Sequence, residues 1–196
     1  MRKSLSLTLL FLILLLTACQ SPSYTWLGNL YDQPQPAPNF ELASTQGDVY
    51  DLSQQRGRIV LLFFGYTYCP DVCPATVGDA AWLLDQLGPE ADQVDFTFIT
   101  VDPERDTLEQ LAGYLGSVNE QLIGLRPEPR DLEGLQSAYG ITVVVEPNGD
   151  PDIYFIAHTA RIFLVDQDGL LRANYEFATP RADLLADLEY LLERDS

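Results

Sequence analysis

Apolar and polar positions divide the chain into three regimes. Leu5 to Leu16 is almost uniformly apolar and follows a basic start at Arg2 and Lys3. Residues 20–38 show no period and are rich in Pro, Ser, Gln and Tyr, with Pro22, Pro34, Pro36 and Pro38. From Phe40 onwards, short apolar runs alternate with stretches of helical spacing. Phe40 to Leu52 alternates around Gln46-Gly47-Asp48 and predicts a hairpin. The unbroken run Ile59-Val60-Leu61-Leu62-Phe63-Phe64 predicts a central strand buried on both faces. Val77, Ala80, Ala81, Leu84 and Leu87 then share one helix face, and Val94 to Val101 predicts a second strand, stopped by Asp102-Pro103. Asp106, with Glu109 three residues on, predicts the N-cap of a helix carrying Leu108, Leu111, Ala112 and Leu115. A short helix from Asp131 to Tyr139 ends at Gly140. The β-branched run Ile141 to Val145 follows. His158 is placed just before a strand running from Thr159 to Val165, which Asp168-Gly169 turns into Leu170 to Phe177. Pro180 opens a last helix with Leu184, Leu185, Leu188, Leu191 and Leu192 on its apolar face.

Two βα units in succession predict parallel central strands, and the late hairpin adds antiparallel ones. Cys69 and Cys73 stand at the carboxyl end of the first central strand, ahead of a helix. The expected fold is α/β and thioredoxin-like: a central mixed sheet flanked by helices, with an N-terminal β-hairpin. Functional groups of open α/β sheets gather beyond the strands' carboxyl ends, where the cysteines lie.

The first regime reads as an address. The basic start and the short apolar run have the shape of a signal peptide over residues 1–18. Leu16-Thr17-Ala18-Cys19 places small residues before a cysteine, as in a bacterial lipobox, and makes Cys19 the lipid attachment site. The competing reading is a plain membrane anchor. Either way the remaining chain is exported and held at a membrane, on the extracytoplasmic, periplasmic face. Residues 19–38 read as an extended tether, although Tyr24 and Trp26 could instead dock on the domain, and residues 39–196 as the domain.

Composition narrows the chemistry. The 196 residues carry a formal charge of −18, and loss of Arg2 and Lys3 with the signal makes it −20. That charge would repel a phosphate backbone and excludes nucleic acid as a partner. The acidic surface reads mainly as a solvated face. Met1, Lys3 and His158 are the sole Met, Lys and His. The domain therefore lacks a Schiff-base or phosphate-binding lysine, a thioether ligand and any His₃ site.

The cysteine pair carries the chemistry. A disulfide closing so small a loop removes only about 2 kcal/mol of chain entropy, so a structural staple would do better with distant cysteines. Pro74 suits a first helical turn, which puts Cys73, with Cys69 close by, at a helix N-terminus that favours thiolate. Three residues, Pro70-Asp71-Val72, separate the cysteines, where thioredoxin-like redox enzymes usually have two. Such a loop can close as a disulfide or turn both sulfurs to a third ligand. A peroxidase of the peroxiredoxin kind would want Thr three residues before its cysteine, whereas Thr67 is two before Cys69. In thioredoxin-like folds the segment before the late strand packs on the cysteine motif, so His158 is expected to face Cys69 and Cys73. Two thiolates, one imidazole and an open position form a soft site. Such a site favours Cu(I), keeps Cu(II) accessible and leaves zinc short of a fourth ligand.

Gly65-Tyr66-Thr67-Tyr68-Cys69-Pro70-Asp71-Val72-Cys73-Pro74, the stretch Thr100-Val101-Asp102-Pro103-Glu104-Arg105-Asp106-Thr107 and His158 together resemble the Sco/SenC family, from about Ala37-Pro38 to the end of the chain. The resemblance implies a copper metallochaperone whose copper ligands match Cys69, Cys73 and His158. It implies delivery to the binuclear copper site of cytochrome c oxidase, so the partners are that copper-site subunit and other copper chaperones. The alternative is an extracytoplasmic thiol-disulfide oxidoreductase, with Cys69 and Cys73 as the redox-active pair, that keeps partner cysteines reduced. The chain departs from the family at Tyr68, where His is frequent, and at Ala157-His158-Thr159, where Asp-His-Ser is frequent. The second departure removes an acid that would orient the imidazole. Tyr66 and Tyr68 read as site walls and partner contacts. Asp102 sits where it could orient a ligand, but the favoured reading is a loop in which Arg105 pairs with local acids.

Overall fold

The computed structural model describes residues 24–150 and 153–194. Ten strands and four α-helices follow in the order β1 (Asn29–Pro36), β2 (Glu41–Ser44), β3 (Val49–Asp51), β4 (Ile59–Gly65), α1 (Val72–Leu87), β5 (Val94–Thr100), α2 (Leu108–Gly116), β6 (Ile123–Arg126), α3 (Pro129–Tyr139), β7 (Val143–Asp150), β8 (Ile153–His158), β9 (Arg161–Val165), β10 (Leu170–Glu176) and α4 (Arg181–Arg194). Eight strands form one sheet in the order β1-β10-β9-β4-β5-β6-β2-β3, while β7 and β8 pair only with each other. β4, β5 and β6 run parallel, with Phe63 opposite Phe98 and Thr97 opposite Ile123. β9 joins β4 antiparallel, with Leu62 opposite Phe163. This is the expected mixed sheet of a thioredoxin-like fold.

Burial follows the hydrophobic pattern. Every residue of β4 and of β5 is buried, as central strands covered on both faces require. Successive side chains point to opposite faces. Phe63 accordingly meets Phe98, which packs on Tyr114 of α2, while Phe64 meets Tyr139 of α3 and Phe163 of β9. The hairpin β2–β3 turns at Gly47, whose φ of 98° suits glycine. Gly140 closes α3 with φ 64°, as the sequence indicated.

Three sequence expectations need correction, and the open choice for Tyr24 and Trp26 is decided. Residues 29–36 are not tether but an edge strand paired with β10, Leu30 opposite Ala173 and Gln35 opposite Leu171. Pro34 and Pro36 are compatible with it because an edge strand leaves half its N–H groups without a ladder partner. Tyr24 and Trp26 dock: the Tyr24 ring stacks on Tyr190 of α4 at 3.7 Å, and Trp26 meets Tyr190 edge-on at 5.7 Å. The folded unit therefore begins before residue 39. His158 is the last residue of β8 and not part of a loop before a strand starting at Thr159, because β9 begins at Arg161. The cap of α2 is Thr107, whose Oγ1 accepts the Gln110 N–H at 3.2 Å, and not Asp106, which is buried for another purpose. The signal at residues 1–18, Cys19 and the start of the tether lie outside the described residues. No helix among the described residues is long and apolar enough to cross a membrane.

Candidate metal centre

The cysteine loop leaves β4 at Gly65 and enters α1 at Val72. Its conformation is set from below by Asp106, which is fully buried. The Asp106 carboxylate accepts the Thr67 N–H at 3.0 Å, the Thr67 hydroxyl at 2.5 Å and the Thr100 hydroxyl at 2.7 Å. One side chain thus ties the cysteine loop to the end of β5. Burial raises the Asp106 pKa, while its hydrogen bonds to Thr67 and Thr100 act in the opposite direction.

At the start of α1 the Asp71 side chain caps nothing, and the Cys69 sulfur takes that role. It accepts the Cys73 N–H at 3.4 Å. Both cysteines are free thiols, Cys69 partly exposed and Cys73 buried. A hydrogen bond from the Cys73 thiol outweighs burial and, helped by His158 and by the backbone amides of Asp71 and Cys73, lowers the Cys69 pKa to about 3. The same bond, together with burial, pushes the Cys73 thiol far up. The pair therefore holds one proton between two sulfurs across the neutral range.

His158 reaches this pair from β8. Its Nε2 lies 3.4 Å from the Cys73 sulfur, and its Nδ1 lies 3.2 Å from the Thr159 carbonyl oxygen. A carbonyl can only accept, so Nδ1 donates to it, and Nε2 is the ring nitrogen directed at the sulfurs. The Thr159 carbonyl thereby does the orienting work that the family's acidic neighbour suggested, and Ala157 costs the imidazole no partner. Phe63 and Tyr66 hold the ring edge-on at 6.0 Å and 5.9 Å. The ligand atoms of Cys69, Cys73 and His158 all lie within 4.8 Å of one another, and they are the sole such three-residue cluster among the described residues. Two sulfurs and one nitrogen at that spacing fit a soft cation.

The rest of the motif divides. Tyr66 is a buried wall, and its hydroxyl oxygen accepts the Ile156 N–H at 3.1 Å. Tyr68 is 51% exposed beside the site. Arg105 pairs with Asp102, as the favoured reading expects. It also donates to the Tyr154 carbonyl at 3.1 Å, a contact with β8 that sequence reasoning missed. Asp106 was read as the cap of α2, and its part in the site went unseen; the only signal for it was Thr67 just past the end of β4 and Thr100 at the end of β5.

Comparison with known proteins agrees with this geometry. The SCO1/SenC family model matches residues 29–193, and the chain belongs to that family. A proposed copper-binding protein of Stutzerimonas stutzeri is 35% identical over 175 residues, covering 83% of this chain and 84% of that protein. The mitochondrial SCO2 homolog of Bos taurus is 33% identical over 142 residues, which span 71% of this chain and 53% of that protein. The structure of Bradyrhizobium japonicum ScoI with copper bound superposes with a TM-score of 0.73 at 34% identity, covering 80% of this chain and 99% of that one.

Proposed function

We propose that this SCO1/SenC member is a copper metallochaperone that carries one copper ion on Cys69, Cys73 and His158. The observation behind the proposal is the convergence of two sulfurs and an imidazole nitrogen within 4.8 Å. The donor set suits Cu(I) and admits Cu(II). A cation arriving at the site meets the Cys69 thiolate first and must displace the Cys73 proton to gain the second sulfur. His158 completes the set through Nε2, which binds a cation only in its unprotonated form. Three protein ligands leave a position at which a recipient's ligand enters, so transfer proceeds by ligand exchange. We further propose that the recipient is the binuclear copper site of cytochrome c oxidase and that other copper chaperones load this protein. We place it on the extracytoplasmic face of a membrane, held there by acylated Cys19.

Copper titration of the reduced domain tests the site. One copper per domain is expected, with a thiolate-to-Cu(II) charge-transfer band, and Cys69→Ser or Cys73→Ser should abolish the band. A variant that keeps full stoichiometry and spectrum would refute a two-thiolate site. Labelling with a palmitate analogue tests the anchor, which Cys19→Ser should eliminate.

A thiol-disulfide oxidoreductase is the second reading, and the depressed Cys69 pKa favours it, because thiolate is the form that attacks disulfides. His158 separates the two. His158→Ala should weaken copper binding strongly while leaving the dithiol able to form a disulfide. If copper binding is unchanged in that variant, the oxidoreductase reading takes precedence.

A further inference from the structure

The strands β7 and β8 form a separate hairpin, so no main-sheet ladder fixes the height of His158 above the cysteines. Tyr154, Ile156 and His158 alternate along β8 and share its inner face. Each of the three is gripped from below. His158 meets Cys73, and the Ile156 N–H is held by the Tyr66 hydroxyl. The third grip is the most elaborate. The Tyr154 hydroxyl donates to Asp102 Oδ1 at 2.9 Å, and Arg105 Nη1 donates to the Tyr154 carbonyl at 3.1 Å. The guanidinium lies over the Tyr154 ring, 3.5 Å from its centre, and the Asp102–Arg105 ion pair holds both groups in place. Arg105 also stands 4.9 Å from the Tyr68 ring and 5.9 Å from the Tyr66 ring, on either side of the cysteine loop's entry. Asp102 is 4% exposed, and Arg105 and Tyr154 are half-buried over it.

We infer that Asp102, Arg105 and Tyr154 form a latch in which Arg105 is a positioning residue for the metal centre, setting His158 over the cysteine pair by clamping the hairpin at Tyr154. Four residues of strand, about 13 Å, separate the clamp from the ligand. A hydrogen-bonded two-stranded ribbon transmits the position of one end to the other. The interpretation of Asp102-Pro103-Glu104-Arg105 as a self-contained loop is therefore incomplete, since its ion pair serves the hairpin. The inference rests on the reading of His158 as a metal ligand and goes beyond it by naming what holds that ligand.

The test uses Arg105→Gln and Tyr154→Leu in the reduced protein, with Tyr154→Phe as a milder variant that removes only the hydroxyl's bond to Asp102. In the metal-free protein, amide exchange at residues 154–158 should accelerate in the first two variants while β4 and β5 keep their protection. Copper affinity, measured by chelator competition, should fall about 10-fold in both, with a smaller loss for Tyr154→Phe. In a His158→Ala background, adding Arg105→Gln should cause no further loss, because the latch acts through His158. Two results overturn the inference. One is a lower melting temperature with hairpin exchange and copper affinity at wild-type values, which makes Arg105 merely structural. The other is an affinity loss that persists without His158, which assigns Arg105 to the cysteine loop. If the wild-type protein takes up no copper, the metal reading fails, and the exchange measurement alone still decides whether Arg105 holds the hairpin.

Discussion

At the scale of single residues the decisive feature is a proton shared unequally by two cysteines. The Cys69 pKa in the folded chain, about 3, lies below the ordinary 9.0, so its thiolate stabilises the fold fully above pH 9. That contribution fades as pH falls towards 3. Cys73 has the opposite sign: its folded pKa is raised, so its contribution is complete below pH 9 and is lost as pH rises through the raised value. Both contributions operate at neutral pH, where the pair carries one negative charge. Alkylation should therefore label the partly exposed Cys69 and spare the buried Cys73. The Cys69 rate should stay nearly level from about pH 8 to pH 5 and drop only nearer its own pKa. Mass spectrometry of iodoacetamide-treated protein across that range is the check. A rate that falls tenfold per pH unit below 8 would mean an ordinary thiol and no effective hydrogen bond from Cys73.

At the scale of elements, two neighbouring residues at the start of α2 do different work, and substitution should separate them. Thr107→Ala removes one capping bond and should cost about 1 kcal/mol, with Cys69 labelling unchanged. Asp106→Ala strips the partners from the Thr67 N–H, the Thr67 hydroxyl and the Thr100 hydroxyl in a buried setting. It should cost about 3 kcal/mol or more and alter the Cys69 labelling rate, because Thr67 lies two residues before that cysteine. Urea denaturation of both variants tests the difference, and equal losses would return Asp106 to the capping role. The sequence was informative where periodicity is strong. β4, β5, α1 and α4 were legible from their apolar spacing, and the cysteine pair from its position at a strand's end. Asp106 was misread because a buried acid and a capping acid look alike in one dimension. The strand β8 was missed because Ile153-Tyr154-Phe155-Ile156-Ala157-His158 is largely apolar on both faces, so its alternating burial, with Phe155 41% exposed beside Ile156 at 6%, leaves no mark in residue type. The three metal-site residues were legible together only by way of the fold, since nothing local links Cys73 to a histidine 85 positions on.

At the scale of the whole molecule the main lesson is where the domain begins. Proline, glutamine and the absence of period made residues 29–36 look like spacer. An edge strand needs few ladder bonds and little burial, so it leaves almost no hydrophobic signature. What fastens this end is Asp187 on α4, fully buried, whose carboxylate accepts the Tyr24 hydroxyl at 2.6 Å, the Leu27 N–H at 3.2 Å, the Gly28 N–H at 2.9 Å and the Tyr175 hydroxyl at 2.7 Å. A chain starting at residue 39 keeps only the Tyr175 bond, bares the edge of β10 and unstacks Tyr190. A buried carboxylate stripped of most of its partners costs about 3–5 kcal/mol. That is a large share of the roughly 5–15 kcal/mol that holds a domain together. The chain starting at 39 should melt about 10 °C or more below one starting at 24. Asp187→Asn supplies the internal control, because its effect should change sign. In the longer chain it weakens four hydrogen bonds to a carboxylate and lowers the melting temperature. In the shorter chain it removes a stranded charge and raises it. Thermal melts of the four proteins at one pH decide the matter. Equal melting temperatures for the two starting points, with Asp187→Asn acting alike in both, would make residues 24–38 a spacer after all.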